Sequence, residues 1–191
     1  LGDRFEMHAA VQAALPFKIP VAHISGGEVT LGAFDDALRH SITKLSHLHF
    51  VATQEYRERV LQMGEEPWRV TNTGSPSLDS LLSRPETCVK SIESKYGFKL
   101  EPPPLLVTFH PVTLEYEHTE WYTGELLAAL DSWEGSIVFT LPNADTNGRM
   151  ITRKIKEFVD IHDLSWLVEN LGMPDYFNVM GSAAAMVGNS S

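Results

Sequence analysis

The sequence predicts an α/β protein whose chain forms two halves, each with a parallel sheet. Short apolar runs alternate with segments whose apolar residues recur at helical spacing, and this alternation of strand and helix is typical of a parallel sheet. The alternation is interrupted at Gly74-Ser75-Pro76, and a second series begins after the stiff segment Pro102-Pro103-Pro104. We therefore expect a boundary near Gly74, with residues 1–74 in one domain and residues 75–191 in the other.

In the first half, punctuating residues mark where helices and strands end. Pro16 closes an alanine-rich helix, Gly26-Gly27 ends an apolar strand, and Thr53 caps a helix that ends at Gly64. The expected order is helix 4–15, strand 20–24, helix 34–46, strand 49–52, helix 53–64 and strand 69–73. The apolar spacing within helix 34–46 predicts a buried stripe formed by Phe34, Leu38, Ile42 and Leu45.

The second half repeats this alternation after one long helix. Apolar residues at helical spacing predict that this helix runs from Ser77 to about Lys95. The expected order then continues with strand 105–109, helix 119–133, strand 137–141, helix 146–159, strand 165–168, helix 175–183 and strand 184–187.

Composition restricts the class of protein and its partners. A chain of 191 residues with 43% hydrophobic content can bury a core. Its net charge of −10 argues against nucleic acid and anionic membranes as partners, because both attract clustered lysine and arginine. A lone cysteine, Cys88, allows no internal disulfide, and the sequence contains neither a signal peptide nor an apolar run long enough to span a membrane. We expect a cytoplasmic protein, and the two chain ends read as those of a fragment.

The junction between strand 20–24 and helix 34–46 is the first place to expect chemistry. Two glycines and the carboxylates of Glu28, Asp35 and Asp36 lie there, and open parallel sheets bind ligands at the carboxyl ends of their strands. Asp35 and Arg39 are four residues apart and share a helix face, as do Asp36 and His40. Such pairs are also common as stabilising surface contacts, so the spacing alone leaves both interpretations open.

Three strands of the second half also end in polar residues. These ends are His110-Pro111, Pro142-Asn143-Ala144-Asp145 and Gly188-Asn189-Ser190-Ser191, and parallel strands would bring them to one edge of the sheet. The two serines precede an expected helix N-terminus, which favours phosphate oxygens. We expect this edge to bind a polar ligand.

Six motifs together resemble the hydrolysing UDP-N-acetylglucosamine 2-epimerases, of the branch that serves sialic-acid and legionaminic-acid synthesis. The motifs span the whole chain and occur in the family's order: 1–5, 23–28, 35–44, 110–113, 142–145 and 188–191. The resemblance implies a glycosyltransferase-B-like architecture of two Rossmann-like domains. Residues 1–74 would be the C-terminal part of the first domain, and residues 75–191 the N-terminal part of the second, UDP-binding domain, both incomplete here.

The resemblance also implies a reaction. Related enzymes eliminate UDP from C1 of UDP-N-acetylglucosamine as the C2 proton is removed, and water then adds to the resulting glycal to give N-acetylmannosamine. No cofactor or metal is needed, the substrate is a UDP-sugar, and the full-length protein is expected to be a homo-oligomer. Residues 1–191 alone are expected to be inactive.

The resemblance assigns roles to residues of the first half. Asp3, Glu28 and Asp35 are the acid/base candidates, because moving a carbon-bound proton needs placed carboxylates of differing pKa. Arg39 is expected to hold Asp35 ionised or to contact the phosphates, and Arg4 to do the same beside Asp3.

Residues of the second half are implied to handle UDP. His110 would neutralise the departing diphosphate or assist its departure, while Ser190 and Ser191 correspond to the phosphate-contacting pair of the family. Asn143 and Asp145 lie in a loop on the nucleotide side and are further substrate-binding candidates.

One position departs from the family pattern. Many relatives carry a catalytic glutamate where this chain has Ser25, and a serine cannot do the same acid/base chemistry. We hypothesise that Glu28 supplies the lost carboxylate and that the sugar is not plain N-acetylglucosamine. UDP-N,N'-diacetylbacillosamine is the alternative substrate.

Other classes of function stay open on the sequence alone. Several histidines and carboxylates lie near one another between His23 and His49, but they lack the spacing of a zinc motif, so we expect no metal. A UDP-sugar glycosyltransferase of the same architecture and a non-catalytic UDP-sugar-binding remnant are the two further alternatives.

Overall fold

The computed structural model describes residues 3–83, 87–100, 102–142 and 148–189, with the side chain of residue 113 left out. The chain divides into two compact units, Leu1–Leu82 and Ser83–Ser191. This division lies beyond Gly74, and the assignment of residues 1–74 and 75–191 to two domains of a longer protein stays a prediction. Within the described ranges, none of the helices combines the length and apolar character needed to cross a membrane.

The first unit is a three-stranded parallel sheet with helices between its strands. The sheet order is β1-β2-β3, and His23 of β1, His49 of β2 and Val70 of β3 are neighbours in register. The elements are α1 (Phe5–Ala14), β1 (Ala22–Ile24), α2 (Asp35–Leu45), β2 (Leu48–Val51), α3 (Gln54–Gln62), β3 (Val70–Asn72) and α4 (Pro76–Leu82). Two short 3-10 helices, Leu15–Phe17 and Pro67–Arg69, follow α1 and precede β3.

Local chemistry explains most of these boundaries. The Thr53 hydroxyl accepts a hydrogen bond from the Tyr56 amide at 3.2 Å and so caps α3, as the sequence predicts. The predicted apolar stripe of α2 is only partly right, because Phe34 is 44% exposed and the fully buried positions are Arg39, Ile42 and Thr43. A charged residue therefore occupies the buried face of α2.

The second unit is a four-stranded parallel sheet with strand order β6-β5-β4-β7. Every residue of the central strands β4 and β5 is buried, as expected for a parallel sheet covered on both faces. The elements are α5 (Val89–Tyr96), β4 (Leu105–Thr108), α6 (Thr119–Asp131), β5 (Ile137–Thr140), α7 (Gly148–Val159), β6 (Ser165–Val168), α8 (Gly172–Ser182) and β7 (Ala185–Gly188). A 3-10 segment, Thr113–His118, precedes α6.

Two apolar clusters cover the two faces of this sheet. Leu106 and Val138 belong to one cluster, while their strand neighbours Leu105 and Ile137 belong to the other, because successive side chains on a strand point to opposite faces. The sheet therefore has an apolar core on each face. Polar residues lie where its strands end.

The predicted long helix 77–95 is wrong. The structure has two helices, since α4 ends at Leu82 and α5 begins at Val89. Pro85 lies between them in the sequence, and proline lacks the amide proton of a helix interior and disfavours helical conformation in the residue before it. The apolar spacing was therefore correct within each helix but did not extend across the proline.

Candidate active-site loop

The loop from β1 to α2 begins with an unusual backbone conformation. Ser25 has φ +66° and Gly27 has φ +81°, both in the left-handed region, and the Ser25 amide donates to the Phe50 carbonyl at 2.9 Å. A serine in this region is uncommon, and such strained residues cluster at functional sites. Ser25 therefore forms a fixed turn at the end of β1.

Gly26 and Gly27 hold the loop tightly against its own unit. A Cβ on Gly26 would lie 2.9 Å from Nδ1 of His23, and one on Gly27 would overlap the Tyr56 carbonyl oxygen. The Arg59 guanidinium donates to the Gly27 carbonyl from α3. Only glycine permits this approach, so the pair fixes the path of the chain toward Glu28.

Arg39 is the centre of the polar contacts around this loop. Its side chain is 4% exposed, and Nη1 donates to Asp36 Oδ1 at 2.7 Å and to the Glu28 carbonyl at 2.9 Å. Nη2 donates to Thr30 Oγ1 at 3.1 Å and forms an ion pair with Asp3 Oδ2. One buried guanidinium therefore ties together the start of the unit, the loop and α2.

Asp36 is a member of this group that the sequence did not single out as a site residue. Its Oδ1 accepts from both Arg39 and the Thr30 amide, the latter at 2.9 Å. The sequence predicts contacts between residues four apart, Asp35 with Arg39 and Asp36 with His40. In the structure, Asp36 forms an ion pair with Arg39, three residues away. The role of Asp35 as an acid/base group stays a prediction.

Burial and two charged neighbours act on the carboxyl of Glu28. Burial raises the pKa of its carboxyl, the nearby Arg39 charge opposes this effect, and the Asp3 carboxylate adds to it, leaving the pKa above its ordinary value of 4.5. Glu28 therefore holds its proton to a higher pH than an exposed glutamate. Arg39 binds its backbone carbonyl, so the described contacts fix the position of the residue through its main chain.

Arg4 lies at the surface beside this group. Its Nε is 3.6 Å from Glu6 Oε2, and both side chains are largely exposed. The predicted part of Arg4 in supporting Asp3 or the phosphates stays a prediction.

A second buried polar group lies in the same unit. His49 is fully buried and its Nε2 is 3.2 Å from Glu65 Oε2, while Lys44 forms an ion pair with the other oxygen of Glu65. Burial lowers the pKa of His49 even though Glu65 opposes the shift. Burial would raise the pKa of Glu65, but the hydrogen bonds from Lys44 and His49 outweigh it and lower that pKa. The pair is therefore a neutral imidazole beside an ionised carboxylate.

His23 and His49 of this unit contact different partners. Nδ1 of His23 is 3.1 Å from Thr43 Oγ1, while His49 is bound to Glu65. In the part of the chain that the structure describes, no three His, Cys, Asp or Glu side chains come together as they would around a metal ion.

In the second unit, the described ends of three neighbouring strands lie at one edge of the sheet. β5, β4 and β7 are adjacent and parallel, and the Oγ1 atoms of Thr108 and Thr140 at the ends of β4 and β5 are 2.7 Å apart. His110 follows β4, and its backbone contacts the side chain of Asn189, which follows β7. Four predicted ligand-binding residues lie outside the described residues: Asn143, Asp145, Ser190 and Ser191.

Comparison with known proteins identifies the family. The family model described as UDP-N-acetylglucosamine 2-epimerase matches residues 1–191. Hydrolysing N,N'-diacetylbacillosamine 2-epimerases of Campylobacter jejuni (GDP/UDP-linked substrate) and Legionella pneumophila (UDP-linked substrate) are 41% and 35% identical to this chain. The polysialic acid biosynthesis protein P7 of Escherichia coli is 38% identical. Each match covers 100% of this chain, which spans about half the length of these relatives.

Solved structures support the fold. The UDP-GlcNAc 2-epimerase of Neisseria meningitidis, bound to UDP-GlcNAc, has a TM-score of 0.79 at 21% identity, and 100% of this chain covers 53% of it. The enzyme of Methanocaldococcus jannaschii, in complex with UDP-GlcNAc and UDP, has a TM-score of 0.76 at 16% identity, and 99% of this chain covers 53% of it. The predicted fold class, with Rossmann-like halves of the glycosyltransferase-B type, is confirmed. With its parallel sheets and with matches that run from end to end, this chain belongs to the UDP-N-acetylglucosamine 2-epimerase family.

Proposed function

We propose that this chain is part of a hydrolysing 2-epimerase of a UDP-2-acetamido sugar. A base removes the C2 proton, the C1–O bond breaks with its electrons leaving on UDP, and a C1–C2 double bond forms. Water then adds its oxygen to C1 and a proton returns to C2 on the opposite face. With UDP-N-acetylglucosamine as substrate, the products are UDP and N-acetylmannosamine.

The observation that carries this proposal is the group of carboxylates around Arg39. Proton removal and proton return require two groups that differ in their hold on a proton. Arg39 forms an ion pair with the Asp3 carboxylate and binds the main chain of Glu28, whose carboxyl has a raised pKa. The shared contact with Arg39 supports acid/base roles for Asp3 and Glu28, with Asp35 as the third candidate.

We assign the handling of UDP to the second unit. His110 at the end of β4 would assist departure of the diphosphate, and Ser190 and Ser191 would bind phosphate oxygens. Asn143 and Asp145 would contact the nucleotide. The position of His110 at the carboxyl edge of a parallel sheet supports this assignment, because ligands of such sheets bind there.

UDP-N,N'-diacetylbacillosamine is the second candidate substrate. Two relatives at 41% and 35% identity are named for this sugar, and the family resemblance places Ser25 where many relatives carry a glutamate. The similarity to a polysialic acid biosynthesis protein supports a sialic-acid-type pathway in either case. We further propose a cytoplasmic, homo-oligomeric full-length protein.

The substrate is tested with the full-length protein that contains this chain. UDP release is measured separately from UDP-N-acetylglucosamine and from UDP-N,N'-diacetylbacillosamine, without acceptor, with and without a chelator, and the free sugar is identified by NMR. The proposal expects metal-independent UDP release and a sugar inverted at C2. Release that requires an added acceptor would indicate a glycosyltransferase, and UDP binding without release of either sugar would indicate a non-catalytic binding protein.

A further inference from the structure

Asn189 makes an unusual pair of contacts with the residue proposed to assist UDP departure. Its Oδ1 accepts a hydrogen bond from the His110 amide at 2.8 Å, and its Nδ2 donates to the His110 carbonyl at 2.8 Å. One side chain therefore binds both polar groups of the His110 main chain.

The strand register explains this arrangement. β4 and β7 pair in parallel up to Thr108 and Gly188, where the backbone ladder stops. A carboxamide carries one carbonyl acceptor and an NH donor, as a peptide group does, so the Asn189 side chain continues the pairing of the two strands beyond their ends. The two strands also lie close together at Gly188, the residue before Asn189, since a Cβ on Gly188 would overlap the Thr108 carbonyl oxygen.

The other side of β4 is also anchored. Thr108 Oγ1 lies 2.7 Å from Thr140 Oγ1 and 3.1 Å from the Tyr176 hydroxyl, which ties the end of β4 to β5 and to α8. The main chain that carries His110 is thus fixed through Thr108 on one side and through Asn189 on the other.

We propose that Asn189 is a positioning residue that acts through His110, by fixing the main chain from which the imidazole reaches the departing diphosphate. This inference rests on the proposed function, and specifically on the part given to His110. A small displacement of a group that must meet a reacting atom can lower a rate by up to about 100-fold.

The test is a double-mutant cycle in the full-length protein, with UDP release as the assay. Asn189→Ala should lower kcat by about 10- to 100-fold with little change in KM. In a His110→Ala background the same change should lower kcat by less than about twofold, because a residue that acts through His110 has nothing left to position. Asn170→Ala is the matched control, since its Oδ1 accepts from the Gly172 amide at 2.7 Å in the same unit without touching His110.

A merely structural role would produce a different pattern. Equal losses of kcat in both backgrounds, or an equal loss for Asn170→Ala, would overturn the inference. If Asn189→Ala does not fold, as judged by circular dichroism, the near-isosteric Asn189→Asp replaces it, because a carboxylate cannot donate to the His110 carbonyl. A wild-type protein that releases no UDP would overturn the proposed function itself. An active wild-type protein in which the losses of kcat from Asn189→Ala and His110→Ala are additive would overturn only the role of Asn189.

Discussion

Replacing Arg39 with methionine removes the guanidinium that holds the candidate active-site loop, while keeping a side chain of similar length. The buried Arg39 side chain is ion-paired with Asp3 and Asp36, whose side chains are 26% and 31% exposed. Removing one partner of a buried pair costs about 3 to 5 kcal/mol, because the other charges stay without compensation. Since water reaches both carboxylates in part, we expect the lower end of this range, about 3 kcal/mol.

Native-state hydrogen exchange in the full-length protein measures this loss locally, through the opening free energy of amides in residues 22–45. Glu55→Gln is the control in the same unit, because it breaks an exposed Glu55–Arg59 pair of 2.8 Å and should change stability by less than about 0.5 kcal/mol. A loss below about 1 kcal/mol for Arg39→Met, or one no larger than for Glu55→Gln, would refute the idea that Arg39 organises the loop.

Three further predictions concern the first unit, the last of them with a control position in the second unit. Folding raises the pKa of Glu28 above 4.5. Its contribution to stability is therefore complete below pH 4.5 and is lost as the pH rises through the pKa that Glu28 has in the folded protein. Glu28→Gln should flatten this part of the curve of unfolding free energy against pH. Folding lowers the pKa of His49 below 6.5. Its contribution to stability is therefore present above pH 6.5 and is lost as the pH falls through the pKa that His49 has in the folded protein. His49→Gln should remove this acid sensitivity, and an unchanged curve of unfolding free energy against pH would contradict the burial argument. Gly27→Ala should cost at least about 2 kcal/mol in urea unfolding, because of its positive φ and the overlap with α3. Gly124→Ala, a helical position with open space around it, should instead stabilise by about 0.5 to 1 kcal/mol, and equal effects at the two glycines would contradict the close approach.

Local signals predicted the elements that carry the site. The apolar run ending at Gly26-Gly27 and the helical periodicity after Phe34 depend on neighbouring residues, and β1 and α2 form close to where they were expected. The single helix expected over 77–95 is wrong, because apolar spacing favours a continuous helix there whereas proline at position 85 of the sequence opposes one.

The contacts of the site were harder to predict because they depend on the path of the folded chain. Asp3 is 36 residues from Arg39 in sequence, and its ion pair forms only once α1 and the loop are in place. Thr30 joins the group through the course of that loop, for which the sequence gives no signal. Asn189 and His110 meet because β7 pairs with β4, a strand register that no local pattern specifies.

The proposed chemistry, exchange of the C2 proton during elimination and readdition, is tested most directly by running the reaction in heavy water. The full-length protein is incubated in D₂O with UDP-N-acetylglucosamine and, separately, with UDP-N,N'-diacetylbacillosamine, and the released sugar is analysed by NMR and mass spectrometry. The account predicts UDP release together with a free sugar that is inverted at C2 and carries one deuterium there. UDP release that leaves the original C2 hydrogen in place, with the configuration unchanged, would contradict it.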